Sequence, residues 1–228
     1  MHKVLVQLCL FIAIFVIPAV ALDPPQPMSM ALDSEAGLEA VNTKIEATTY
    51  RGRRAVHLMP PSGQENSDGD MLAAVTSSDF KDGSIELDVA GSPRPGAPDD
   101  ARGFIGLGFR VQGKGEKGEF FYLRPTNGRS DDQLRRNHST QYVSSPAFPW
   151  YRLRKENPGV YESYVDLNAG AWTHMKIIVS GTKAQLYVNG ADQACLVVND
   201  LKLGEVRGRI ALWAHPTTEA YFSNLEVK

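Results

Sequence analysis

An all-β fold of two packed antiparallel sheets is what this sequence predicts, and three observations carry that expectation. Apolar residues recur at period two in short runs; Gly, Pro, Asn and Asp cluster between the runs; and no long stretch has the spacing of an amphipathic helix. About a dozen such runs fit a two-sheet sandwich. The length of 228 residues suits one such domain, and a hydrophobic content of 43% excludes a disordered chain. A formal charge of -2, from 24 Lys+Arg against 26 Asp+Glu, lacks the basic footprint of a general nucleic-acid binder, so no nucleic-acid partner is expected. Two cysteines are too few for a disulfide scaffold.

Residues 1–21 read as a signal peptide rather than as part of the fold. His2 and Lys3 precede an apolar run over residues 4–17 interrupted by Gln7, and Ala19-Val20-Ala21 supplies the small-x-small end that signal peptidase cuts. The run is short against the ~20 residues that span a bilayer, so no stable membrane insertion is expected after cleavage. The expected location is secreted or periplasmic. Cleavage removes Cys9 and leaves Cys195 unpaired in the apolar run Ala194-Cys195-Leu196-Val197-Val198, where a buried structural thiol is expected. Residues 22–37 carry Pro24, Pro25 and Pro27 and read as an extended tether; residues 38–228 form the sandwich.

Within the sandwich, residues 42–49 and 55–59 flank a hairpin turn at Tyr50-Arg51-Gly52-Arg53, and strands follow at 71–76 and 84–89. Ile85, Leu87 and Val89 take one face of the latter, Glu86 and Asp88 the other. Residues 103–111 repeat the device, with Ile105, Leu107, Phe109 and Val111 opposite Gly106 and Gly108, whose small size leaves room for a neighbour or a ligand. Further strands are expected at 119–124, 139–143, 160–166, 173–180, 184–188, 194–198, 209–213 and 220–227. Between Arg124 and Val160 lies a long polar insertion, a feature that is more often functional than idle.

The C-terminal third carries Gly170-Ala171-Trp172-Thr173-His174-Met175-Lys176-Ile177, then Ala184-Gln185-Leu186-Tyr187-Val188-Asn189-Gly190, Gly208-Arg209-Ile210-Ala211-Leu212-Trp213 and Ala220-Tyr221-Phe222-Ser223-Asn224-Leu225. Asn189-Gly190 supplies the positive φ angles of a tight hairpin. The succession resembles the concanavalin-A-like lectin and glucanase superfamily, in particular its laminin-G-like and 3-keto-disaccharide-hydrolase-like branches, over roughly residues 84–227. The resemblance implies a jelly-roll sandwich and a lectin-like or carbohydrate-processing role. In its family 16 glycoside hydrolases, Glu-x-Asp-x-(x)-Glu on one strand supplies the catalytic acids. Glu86-Leu87-Asp88 matches the first two members, but Val89, Ala90 and Gly91 stand where the third should fall. A retaining mechanism needs two carboxyls about 5 Å apart, so these acids read as a polar strand face.

Carbohydrate recognition needs planar hydrogen-bonding groups for vicinal hydroxyls and an aromatic plate for the apolar sugar face. Residues 122–151 offer both, and the expected ligand-binding set is Tyr122, Arg124, Asn127, Arg136, Asn137, His138, Gln141, Tyr142, Trp150 and Tyr151. Tyr122 and Arg124 share one strand face, leaving Phe121 and Leu123 for the other. The leading expectation is an exported module that binds a glycan or sugar derivative without covalent chemistry. An alternative is a hydrolase or lyase acting on a glycoside or keto-sugar, with His138 and Asp131 or Asp132 as acid and base. A third is a protein-interaction module docking through Trp150 and Tyr151. No cofactor is implied, and the scattered histidines suit no zinc site. Residues 64–75 lack the first and last ligands of a helix-flanked calcium loop, but a looser calcium site at Asp68, Asp70 or the Asp131-Asp132 pair stays open. Asn137-His138-Ser139 is a glycosylation sequon, meaningful in a eukaryotic source.

Overall fold

The computed structural model describes residues 27–65, 67 and 69–228, so the expected signal peptide lies outside the described residues. Strands, numbered in chain order, form two antiparallel sheets. One runs β13 (Leu196–Val198), β12 (Lys183–Val188), β11 (Thr173–Ser180), β6 (Gly83–Pro93), β15 (Thr218–Val227), β4 (Arg53–Met59) and β3 (Lys44–Tyr50), with β1 (Met28–Met30) paired to the C-terminal end of β15. The other runs β10 (Glu162–Ser163), β9 (Thr140–Ser145), β8 (Lys117–Leu123), β7 (Ile105–Gln112), β14 (Arg209–Ala214), β5 (Met71–Val75) and β2 (Leu38–Val41). The expected two-sheet, all-β sandwich is the fold observed.

Alternation builds the core. Ile85, Leu87 and Val89 of β6, Met175, Ile177 and Val179 of β11, and Phe121 and Leu123 of β8 point between the sheets and are essentially inaccessible to water. Each such side chain contributes about 1.5–3 kcal/mol by burial. Arg51 and Gly52, both at positive φ, turn β3 into β4 as the sequence predicts. Asn189 and Gly190 also adopt positive φ and end β12, but they do not close the tight hairpin expected: the chain reaches β13 only through residues 191–195.

Four differences from the sequence expectations have physical causes. The stretch expected as a tether contributes β1: Met28, Ser29 and Met30 follow the last of the three prolines, so their N–H groups are free to pair with Leu225, Glu226 and Val227. Val111 does not share a face with Phe109, because a bulge at Arg110, itself at φ 53°, shifts the register and turns Val111 to the outer face. The strand expected over residues 160–166 is reduced to β10. Besides the expected strand β9, the insertion after Arg124 holds a 3₁₀ turn (Pro125–Asn127), a short helix α1 (Gln133–Asn137) and helix α2 (Trp150–Glu156). Asp132 caps α1 by accepting from the N–H groups of Leu134 and Arg135 at 2.8 and 3.2 Å. No helix among the described residues is long and apolar enough to cross a membrane.

Candidate functional site

The seven-stranded sheet is apolar on its outer face as well as its inner one. Leu72 and Ala74 of β5, Ala211 and Trp213 of β14, and Phe120 and Tyr122 of β8 form a second hydrophobic cluster there, with Phe104 packed against it. Cross-strand register sets Leu72, Trp213, Gly106, Tyr122, Gln141 and Glu162 in one row across six strands. Trp213 and Tyr122 sit two strands apart, a backbone distance of roughly 9–10 Å, yet their rings stack at 4.7 Å and 26°. Gly106, between them, presents no side chain to separate them. A Cβ there would lie 2.1 Å from the Phe121 carbonyl oxygen and 2.6 Å from Tyr122 Cα. The room left by the glycine is filled by neighbours, as one of the two readings of its size predicts.

These rings floor a hollow of about 620 Å³, walled by Phe104, Trp150 and Tyr151, with Asp70, Asp100 and His215 at its margin. A second hollow of about 300 Å³ adjoins it, sharing Asp100, Phe104 and Trp150, and is lined by Arg102, Arg124, Asn127, Arg135, His138 and Arg154. The two make one cleft with an aromatic half and a basic half.

Buried Glu162 fixes the basic half. Its carboxylate accepts from Arg124 Nη1 at 3.3 Å and from Arg154 Nε at 2.8 Å, with a further bond from Arg154 Nη2, and lies 3.6 Å from His138 Nε2. Arg124 also donates to the Tyr122 hydroxyl at 3.1 Å, Gln141 Oε1 at 3.0 Å and the His138 carbonyl at 3.0 Å. Arg154 lies over the Trp150 ring at 4.7 Å, which joins the two halves. The guanidinium planes of Arg124 and Arg154 are thus held before any ligand arrives.

The electrostatics follow from crowding. Asp70 opens to the hollow yet is packed about by protein, which pushes its carboxyl above the usual range; a hydrogen bond from Trp213 works against this. Burial draws His138 below its ordinary 6.5, and Arg154 and Arg124 add to this against the pull of Glu162. These effects favour its uncharged imidazole.

Of the ten residues expected to bind a ligand, Tyr122, Arg124, Asn127, His138, Trp150 and Tyr151 line the cleft. Gln141 is fully buried behind Arg124, its amide donating to the carbonyls of Tyr142 and Tyr161. Tyr142 points into the core, where its hydroxyl donates to Glu119 at 2.6 Å; its place in the inward phase of β9 keeps it out of the cleft. Arg136 turns to Tyr164, and Asn137 accepts from Gln133. Asp132 is occupied as the α1 cap and Asp131 is exposed, so the carboxylate beside His138 is Glu162 instead. Sequence reasoning missed Phe104, Trp213, Arg102, Arg154 and Glu162, and named Asp70 only as a calcium candidate. Trp213 was within reach, since it follows Leu212 in a period-two run.

The remaining candidates lie elsewhere. Glu86 and Asp88 are on the outer face of the other sheet, where Lys176, His174, Arg53 and Asn224 engage both. Burial works to raise Glu86, but Lys176 overrides it and holds the carboxyl below the usual range. Cys195 donates weakly to the Leu186 carbonyl, and burial pushes its thiol up to about 11, which removes the thiolate a nucleophile needs. Among the described residues no three His, Cys, Asp or Glu side chains form a metal-binding group; Asp68 lies outside them.

Comparison with known proteins agrees with this fold. A carbohydrate-binding module, CBM66 from Bacillus subtilis, superposes with a TM-score of 0.56 at 17% identity, over 84% of this chain and 96% of that one. A Bacillus subtilis protein of unknown function with a galectin-like fold gives 0.59 at 13% identity, over 88% and 94%. A putative glycosyl hydrolase from Parabacteroides distasonis gives 0.50 at 12% identity, over 88% and 93%. At such identities the likeness is one of fold. A sequence comparison with curated proteins finds no match. The family described as the 3-keto-alpha-glucoside-1,2-lyase-like domain matches residues 42–228, and the chain belongs to it.

Proposed function

We propose that the cleft on the outer face of the seven-stranded sheet binds a carbohydrate. The observation that carries this reading is the continuity of a preformed aromatic surface, Tyr122, Trp213 and Trp150, with arginines whose forks are already oriented by Glu162. Rings offer a flat apolar face for the C–H side of a pyranose, and guanidinium and amide groups meet its hydroxyls. The fold shared with a carbohydrate-binding module supports the same reading. Glycan-array binding tests it: Trp150→Ala, at a side chain 44% exposed, should lower affinity at least about tenfold while leaving the melting temperature within ~2 °C. Unchanged binding by that variant rules the cleft out.

A second reading, catalysis, is favoured by His138 and Asp70. The family description names a lyase acting on 3-keto-α-glucosides. In such a sugar the C3 ketone acidifies the proton at C2. A base that takes this proton lets the new C1–C2 double bond form as the C1–O bond breaks and the alcohol leaves with a proton. His138 suits the base, and Asp70, at the margin of the adjoining hollow, the proton donor. Turnover of a 3-keto-glucoside that survives both His138→Ala and Asp70→Asn contradicts it. We further propose that the protein is exported after cleavage behind Ala21; an intact Met1 on the mature protein would contradict that.

A further inference from the structure

The basic half of the cleft holds more positive charge than its own carboxylates balance. Arg102, Arg124, Arg135 and Arg154 line one hollow of about 300 Å³ whose lining carries a single acid, Asp100. Glu162 lies behind them and is taken up by Arg124 and Arg154. Arg102 donates through Nη1 to the backbone carbonyls of Asp99 and Ala101 at 2.7 and 3.0 Å, and Arg135 has a buried Nε with no hydrogen-bond partner. Among the described residues neither forms an ion pair.

The crowding of like charges acts on Arg102 in particular. Burial and the nearby guanidiniums of Arg135 and Arg124 work together to lower its proton affinity, with only Asp100 opposing. Gathered like charges are unfavourable, and an unmet buried donor adds to that. Asn127 supplies a second unmet group. It is 4% exposed, donates to the His138 carbonyl at 3.1 Å, and keeps a buried Oδ1 with no partner. One unmet donor and one unmet acceptor beside four guanidiniums favour a ligand with both a negative charge and a hydroxyl.

We infer that the sugar bound in this cleft carries an anionic group, a carboxylate, sulfate or phosphate, seated between Arg102 and Arg135 while its ring lies in the adjoining aromatic half. The inference rests on reading the cleft as a sugar site and adds the charge of the ligand. Guanidinium forks match the paired oxygens of such groups, and the shared wall of Asp100, Phe104 and Trp150 lets one ligand span both hollows. The chain's overall charge of -2 leaves this local field as the source of selectivity.

The test is a glycan array of neutral oligosaccharides and their uronate-, sulfate- and phosphate-bearing counterparts, read with the full chain and with Arg135→Gln. The expected result is that one acidic class binds at least about tenfold more tightly than its neutral parents, and which class it is identifies the anion. That preference should fall about tenfold in Arg135→Gln, and in the unaltered protein when salt rises from about 50 to 500 mM. Circular dichroism checks the variant's fold; if it is lost, Arg102→Gln and the salt series give the same reading. Neutral parents bound as tightly as the acids, with binding lost in Trp150→Ala, overturn the charge inference and leave the sugar cleft standing. No glycan of any class bound overturns both.

Discussion

Glu162 is the residue on which the basic half of the cleft depends. It is buried, it holds Arg124, Arg154 and His138, and no local pattern in the sequence marks it, because its partners come from β8, α2 and the end of α1. Glu162→Gln removes the charge those groups share and leaves Arg124 buried among neutral acceptors. Loss of one member of a buried ion pair costs about 3–5 kcal/mol, so urea unfolding should show a drop of that order. A change below ~1 kcal/mol would mean that Gln141 and the backbone suffice. Tyr122, Arg124 and Trp150, expected from residue type as candidates for a sugar site, all line the cleft. Phe104 and Trp213 were not singled out, since aromatic residues in apolar runs read first as core, and only the second apolar face of the sheet shows otherwise.

Between β7, β8 and β14 the decisive feature is a missing side chain. Gly106 allows Tyr122 and Trp213 to meet over its backbone, so the aromatic floor is a product of strand order as much as of the rings themselves. In Gly106→Ala the new Cβ meets backbone atoms on β8 that cannot rotate away. Destabilisation of roughly 1–3 kcal/mol or more is expected, with loss of the near-ultraviolet circular dichroism of the stacked pair. A native-like spectrum would contradict this. Period two gave the phase of β6, β8 and β11 from sequence; it failed at β7, where a bulge absorbs one residue. Arg110 at that bulge is fully buried and donates to the carbonyls of Lys81, Gly181 and Gly204. An arginine serving three loop carbonyls has no counterpart in a periodic pattern. The helices α1 and α2, of five and seven residues, were likewise too short for helical periodicity to register.

For the domain as a unit, two histidines set the stability profile just below neutrality. His57 and His138 are both lowered from 6.5, chiefly by burial, with Glu219 and Glu162 opposing. The unfolded chain therefore binds protons first as pH falls through 6.5, and stability declines below that value until the folded imidazoles protonate as well. The melting temperature should fall from pH 7.5 to about 5.5, and His57→Gln with His138→Gln should flatten that slope. A slope unchanged in the double variant would assign it to other groups. The sandwich as a whole was legible from turn spacing and alternation, whereas the cleft needed three-dimensional register to assemble. The three tryptophans test the central claim most directly, because Trp150 and Trp213 line the cleft while Trp172 packs against Tyr50 beside the other sheet. In a nuclear magnetic resonance titration with a glycan the protein binds, the indole N–H signals of Trp150 and Trp213 should shift and that of Trp172 should stay. Movement of Trp172 with the other two fixed would place the sugar on the opposite sheet and contradict the account.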